Sequence, residues 1–256
     1  MIKAVFVDFD ESLYSHKAAK IPDSAYSAIL KAQENGVLVL LATGRALCEL
    51  AYFDLRNIKF DGYILNNGQL ILDRSHNTVW ANYFEGKNKE LIVHKFVTNE
   101  IPIMLSTDKL NFMNYVDEIT KDAFNFIDSP LPDIKKYEDE DFMMASIFFD
   151  ANKEKEYISE FDDLTLTWWH NNSADIIPKG GSKMKGIRKY LSLNNINIDE
   201  IMGVGDGNND IEMISKCGVG VAMGNSIKEV KDVADYITSD IDDNGLFNAF
   251  KQYKII

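Results

Sequence analysis

Two aspartates, Asp8 and Asp10, stand one residue apart at the end of the apolar run AVFV, and a hydroxyl follows at Ser12. Carboxylates placed this way can serve as a nucleophile and as a general acid/base, or hold a hard cation with other oxygen donors. Thr43-Gly44-Arg45 closes a second apolar run, and Asp206 follows a third, in GVGDGNND. If the three runs are strands of an open α/β sheet, their carboxyl ends bring these separated residues to one rim. Convergent carboxylates repel each other and resist desolvation, a cost that a divalent cation offsets. Mg²⁺ prefers a few carboxylates together with waters and a substrate phosphate. The chemistry this suits is phosphoryl transfer. Asp8 attacks phosphorus to give an aspartyl-phosphate, while Asp10 protonates the leaving oxygen and then activates water. Thr43, the backbone N–H groups around Gly44 and a lysine hold the phosphate oxygens.

The elements that must position these residues are legible from periodicity. AVFVD is a short, fully buried strand, and IPDSAYSAILKAQENG is helical, with Pro22 in its first turn and Gly36 past its end. A strand at 37–43, a helix at about 45–56 and a strand GYILNN at 62–67 follow. This alternation predicts parallel pairing with right-handed crossovers. It resumes near the C-terminus with the helix SKMKGIRKYLSL, the strand DEIMGVGD, the helix NNDIEMISKC and the strand GVGVAM. A helix near 226–233, the segment ADYITS and a final helix at about 244–253 complete it. The fold class expected is α/β, a doubly wound, Rossmann-like parallel sheet built from residues 1–82 and 178–256. Residues 83–177 have a different texture, opening on a helix and then rich in strands, with a further helix at 153–161. They read as an inserted, smaller α+β domain. The charged run at 135–141 reads as a solvated face.

Composition narrows the function further. A net charge of −13 disfavours a broad grip on nucleic acid or on anionic lipid. No apolar stretch is long enough for a transmembrane helix, and the start MIKAVFVDFD turns acidic too soon for a secretory signal. Cys48 and Cys217 are the only cysteines, which leaves no disulfide framework or zinc cluster and suggests two buried, inert thiols. The expected location is the cytoplasm.

Four segments together carry a family resemblance: DFDESL, LATGR, the lysine of PKGGSKMKGI, and GDGNND. In this order, each after its expected element, they resemble the motifs of the haloacid dehalogenase-like superfamily, specifically the Cof-type phosphatases with a subclass IIB cap. The resemblance covers nearly the whole chain, with 83–177 in the place of the mobile cap. It implies Asp8 as nucleophile and Asp10 as acid/base. It implies Mg²⁺ held by the Asp8 carboxylate, the Asp10 backbone carbonyl and Asp206, with Asp210 in support. Thr43, Lys183 and Asn209 would contact the phosphoryl group, and Asn67 of NNGQ matches a position near the active site. The partner implied is a small phosphorylated metabolite, a sugar phosphate or a phosphorylated cofactor.

The first motif departs from the family at two positions. Ser12 replaces threonine and keeps the hydroxyl, whereas Glu11 replaces glycine. A glutamate there costs stability if the backbone needs φ > 0, and its charge opposes a phosphate unless it points away or lines the cap entrance. His16, His76, His94 and His170 lack metal-ligand spacing, and only His170, beside Trp168 and Trp169, is a candidate for substrate contact. The rival readings are a phosphomutase on the same scaffold, a weakened metal- or metabolite-binding regulator, and a receiver-like phosphorylation switch.

Overall fold

The computed structural model describes residues 1–153, 157, 159–161 and 163–256. The chain divides into two compact units: Met1–Arg45, Phe53–Trp80 and Ser182–Ile256 form one, and Ala46–Tyr52 with Ala81–Gly181 form the other. The α/β core with a smaller α+β insertion, expected from the sequence, is the fold observed.

The first unit starts with β1 (Ala4–Val7), α1 (Asp23–Glu34), β2 (Leu38–Ala42), β3 (Gly62–Leu65), β4 (Leu70–Asp73) and β5 (Thr78–Ala81). Between β2 and β3 lies α2 (Leu47–Leu50), which belongs to the second unit. The first unit resumes with α5 (Lys183–Asn194), β12 (Ile201–Gly205), α6 (Ile211–Lys216), β13 (Val219–Ala222), α7 (Lys228–Lys231), β14 (Tyr236–Ile237) and α8 (Gly245–Gln252). The strands form one sheet in the order β14-β13-β12-β1-β2-β3-β4-β5. Pairing is parallel from β14 to β3. β1 lies between β2 and β12, with Ala4 in register with both Leu38 and Ile201. Chain order therefore reverses at β1, and the crevice at its carboxyl end is the switch point where open α/β sheets bind ligands. All four residues of β1 are buried, because a central strand has helices over both faces.

Several elements differ from expectation for local reasons. The helix expected at 45–56 is only α2, and its expected end is excluded by Arg56 and Asn57, which both take left-handed φ (53° and 57°) while the Asp54 carboxylate accepts the Arg56 N–H. Strand GYILNN stops at Leu65, where Asn66, Asn67 and Gly68 turn with φ of 53°, 51° and 88°. The helix near 226–233 is confined to α7. The hairpin β4–β5 was not anticipated. Its turn is built by Asp73, whose carboxylate accepts from Ser75 N, Asn77 N and Asn77 Nδ2, and β4 runs antiparallel to β3.

The second unit also contains α3 (Gly86–Thr98), β6 (Ile103–Ser106), β7 (Asn111–Met113), α4 (Glu118–Phe126), β8 (Asp133–Ile134), β9 (Met144–Phe148), β10 (Leu164–His170) and β11 (Ser173–Pro178). Its sheet runs β10-β11-β9-β6-β7-β8, antiparallel except for β7–β8. Ile103, Leu105, Phe112, Ala145 and Ile147 pack on Ile92 and Phe96 of α3. The helix expected at 153–161 falls partly outside the described residues, which show 3₁₀ turns at Ala151–Lys153 and Ser159–Phe161. Among the described residues, no helix is long and apolar enough to cross a membrane.

The turn after β3 is locked onto the start of α5. A Cβ at Gly68 would lie 2.1 Å from the Ser182 carbonyl oxygen, and its φ of 88° disfavours any side chain. Gly68→Ala should therefore destabilise the first unit by about 2 kcal/mol or more, read as a lower denaturant midpoint at unchanged slope. An unchanged midpoint would show that this close approach does not constrain the fold.

Candidate active site

Asp8 directly follows β1 and is buried; its backbone N–H donates to the Val204 carbonyl at 2.9 Å, which fixes it between two strand ends. Lys183, the first residue of α5, is also buried, and its Nζ donates to Asp8 Oδ1 at 2.5 Å and to Asp210 Oδ1 at 2.7 Å. The other Asp210 oxygen accepts the backbone N–H groups of Asp206 (3.0 Å) and Gly207 (3.1 Å). This closes the loop between β12 and α6. Only glycine fits at 205, since a Cβ there would lie 2.4 Å from the Asp210 carboxyl carbon. Asp206 in turn accepts from Ser12 Oγ at 2.8 Å, so the serine hydroxyl kept in the first motif ties it to the fourth.

Asp10 faces a different set of partners. Arg45 grips its carboxylate as a fork, Nε to Oδ2 at 2.9 Å and Nη2 to Oδ1 at 2.8 Å, and His16 Nε2 meets Oδ1 at 2.7 Å. The Arg45 guanidinium lies over the Phe53 ring, 4.5 Å from its centroid, and near Phe9. Phe53 also meets Tyr14 and His16 edge-on. Glu11 has φ of 54°, the left-handed conformation its usual glycine would tolerate. Its carboxylate accepts the His16 backbone N–H at 3.0 Å, and its carbonyl accepts from Asn225 Nδ2 at 2.7 Å. The glutamate thus turns back into its own loop and bridges it.

Thr43 is buried at the end of β2, where its Oγ1 accepts the Arg45 N–H at 3.1 Å, so it serves as a turn cap. Asn67 stands against Gly44, whose added Cβ would meet Asn67 Oδ1 at 3.0 Å, and Asn209 Nδ2 donates to that same oxygen at 3.1 Å. The first unit therefore gathers Asp8, Asp10, Thr43, Gly44, Asn67, Lys183, Asp206, Asn209 and Asp210 at the carboxyl ends of β1, β2, β3 and β12 and the start of α5. His170 belongs to the second unit, where its ring lies 5.1 Å from Phe126 and Nδ1 accepts the Asn172 N–H at 3.3 Å. Sequence reasoning overlooked the His16 imidazole and the Arg45 side chain. Arg45 was visible within LATGR, but nothing in the spacing announced that the turn would fold His16 back onto Asp10. Of the cysteines, Cys217 is buried and its thiol is pushed up to about 12 by burial, whereas Cys48 is only partly buried.

The electrostatics of the two aspartates diverge. Burial, together with Asp210, raises the Asp8 carboxyl well above its ordinary value against the pull of Lys183. Burial and Asp210 likewise push Asp206 up to about 7. For Asp10, partial burial acts upward, but the His16 and Arg45 hydrogen bonds outweigh it and hold the carboxyl well below the usual range. The Asp10 bond in turn raises the His16 imidazole. Asp8, Asp206 and Asp210 each bring a carboxylate oxygen within 4.8 Å of the others, against the single ammonium of Lys183. Three hard oxygen donors with surplus negative charge fit a divalent cation. Asp210 has one oxygen engaged by Lys183 and the other by the loop's own N–H groups, and so orients the group.

A family model described as haloacid dehalogenase-like hydrolase matches residues 5–250. YkrA of Bacillus subtilis (strain 168), provisionally named a phosphatase, is 28% identical over 99% of this chain and 98% of its own length. BT1666 from Bacteroides thetaiotaomicron, described among phosphatases of this superfamily, superposes with a TM-score of 0.89 at 27% identity, covering 100% of this chain and 96% of its own. The subclass IIB sugar phosphatase BT4131 superposes with a TM-score of 0.85 at 28% identity, covering 99% and 100%. With four motifs gathered on one rim of the sheet and a family match across almost its whole length, the chain belongs to the haloacid dehalogenase-like hydrolases.

Proposed function

We propose that the protein is a Mg²⁺-dependent phosphatase that hydrolyses a small phosphorylated metabolite through an aspartyl-phosphate on Asp8. The observation that carries this reading is the buried Lys183 ammonium held between Asp8 and Asp210, beside Asp206. Mg²⁺ would be held by the Asp8 and Asp206 carboxylates and the Asp10 carbonyl, with Asp210 in support; when bound, it neutralises charge on the phosphoryl group. An Asp8 oxygen attacks phosphorus, the bond from phosphorus to the leaving oxygen breaks, and Asp10 gives that oxygen a proton. Ionised Asp10 then takes a proton from water as the water oxygen attacks phosphorus. The bond to Asp8 breaks, and phosphate leaves with Asp10 protonated again. Lys183, Thr43, the Gly44 backbone and Asn209 steady the phosphoryl oxygens. Residues 83–177 are assigned as the cap that sets substrate choice. The sugar phosphatase BT4131 favours a sugar phosphate as substrate class, with phosphorylated cofactors as the second.

Phosphate release from a panel of both classes should require Mg²⁺ and stop with EDTA. Asp8→Asn should bring turnover to background while leaving the fold intact, and turnover at the parent rate would remove Asp8 as nucleophile.

The acid cluster also makes a stability prediction. With Asp206 at about 7 in the folded chain, the metal-free protein retains a proton that the unfolded chain releases near its ordinary value of 3.8. Between those values stability falls as pH rises. Mg²⁺ competes with that proton, so the rise in Tm it produces should be larger at about pH 8 than at about pH 5. A rise independent of pH, measured by differential scanning fluorimetry, would place the cation elsewhere.

A further inference from the structure

The residue that replaces the family's glycine and the histidine five positions later form one device. Glu11 takes a left-handed φ of 54°, which is unfavourable for a non-glycine residue, so the turn must return something for it. Part of the return is visible. Glu11 Oε1 accepts the His16 N–H at 3.0 Å across the loop, and Tyr14 O accepts the Glu11 N–H at 2.9 Å. The Glu11 carbonyl is pinned from outside the loop by Asn225 Nδ2 at 2.7 Å. His16, so anchored through its backbone, turns its ring inward. The ring lies edge-on to Tyr14 (5.4 Å) and Phe53 (6.2 Å), and its Nε2 meets Asp10 Oδ1 at 2.7 Å. A loop held only for its own stability would not need an imidazole aimed at a carboxylate.

The donors are distributed unevenly over Asp10. Oδ1 receives His16 Nε2 at 2.7 Å, Arg45 Nη2 at 2.8 Å and Arg45 Nε at 3.1 Å, while Oδ2 receives Arg45 Nε at 2.9 Å. Oδ2 is therefore the less crowded oxygen and the one that can carry and pass a proton. Fixing the plane of the carboxylate so that one chosen oxygen faces the reaction is what a general acid requires.

We propose that Glu11 and His16 act together as a positioning unit for Asp10, Glu11 setting the turn that seats His16, and His16 fixing the Asp10 carboxylate with Oδ2 presented for proton transfer. This rests on the phosphatase reading, with Asp10 as its acid/base. It turns Glu11 from a defect of the first motif into a substitute for it, since the backbone conformation is kept and the side chain gains a task.

The test uses a series of aryl phosphates, from p-nitrophenyl to phenyl phosphate, with Mg²⁺ and the full chain. kcat/KM reports the step in which the leaving oxygen departs, and a poor leaving group needs its proton far more than nitrophenolate does. His16→Asn and Glu11→Gly should each lower kcat/KM for phenyl phosphate by about tenfold or more and for p-nitrophenyl phosphate by less than about threefold. The double variant should fall no further than either single one, as expected for residues acting in one chain of contacts. Glu11→Gln, which keeps an acceptor oxygen for the His16 N–H, should recover most of the loss. Asp10→Asn is the control. If it steepens the dependence on leaving group while His16→Asn and Glu11→Gly leave it as in the parent, the positioning unit is refuted and the acid/base reading stands. If Asp10→Asn itself leaves the dependence flat, the acid/base reading is what fails. An independent readout is the His16 ring signal in a ¹H–¹⁵N spectrum at fixed pH, assigned from its disappearance in His16→Asn. Glu11→Gly should shift it towards that of a free imidazole, and a signal unmoved by that change would overturn the proposal whatever the turnover.

Discussion

A single ammonium organises the first unit's rim. Lys183 Nζ is buried and bonded to Asp8 Oδ1 and Asp210 Oδ1, residues 175 and 27 positions away in the chain. Removing one member of a buried charge set leaves the others uncompensated, a loss of about 3–5 kcal/mol in measured cases. Three chain segments therefore have to arrive together: the end of β1, the start of α5 and the loop after β12. The close contacts follow from that demand. Gly68 admits the Ser182 carbonyl so that α5 can begin where Lys183 reaches Asp8, and Gly205 leaves room for the Asp210 carboxyl. The loop after β12 is shaped by Asp210 taking the Asp206 and Gly207 N–H groups, so the residue that balances Lys183 also aims Asp206.

Burial strengthens these attractions and sharpens the repulsions too. Asp8, Asp206 and Asp210 exceed what Lys183 can neutralise, and the rise of Asp8 and Asp206 above their ordinary values expresses that imbalance. Hydrophobic packing supplies the stability that tolerates it. Phe6, Leu40, Ala42, Ile64 and Ala222 are fully buried in the sheet behind the rim, and Met184 and Ile187 of α5 pack onto them. A charge surplus held rigidly at a sheet's switch point is a standing preference for a cation.

Much of this was legible in the sequence because it depends on order and type. Short unbroken apolar runs such as AVFV and LVLLA can be satisfied only by strands covered on both faces, and each ends in a polar group that must therefore lie on the rim. Lys183 at the opening of a helix and Asp206 after a strand were placed by the same reasoning. What could not be read was set by tertiary partners. The expected helix after Arg45 shrinks to Leu47–Leu50, and the stretch where it was expected to end instead holds Arg56 and Asn57 in left-handed conformations that no periodicity reveals. The β4–β5 hairpin depends on Asp73 capping its own turn. His16 had no distinguishing neighbours in sequence, and its contact with Asp10 emerges only once the Phe9–Lys20 turn folds back towards Arg45 and Phe53. Glu11 looked like a misfit for the same reason, since its partner is the backbone of a residue in that fold-back.

The opposed environments of Asp8 and Asp10 bear directly on how two carboxylates two positions apart can do different work. Asp8 sits among acids with one ammonium, and its charge waits on further neutralisation. Asp10 sits among cations and a ring N–H, and its charge is already secured. An aspartate held so firmly ionised is in the form that the second half of the proposed cycle needs, although the same contacts make it a weaker base. To donate one in the first half, it must hold a proton against Arg45 and His16. Arg45 remains charged at any accessible pH, and its fork sets the plane of the carboxylate. With the proton on Oδ2, Oδ1 stays an acceptor, so the His16 ring N–H and Arg45 Nη2 keep their bonds to it in either protonation state of Asp10. In the proposed cycle the carboxylate therefore gains and loses its proton at Oδ2 without turning.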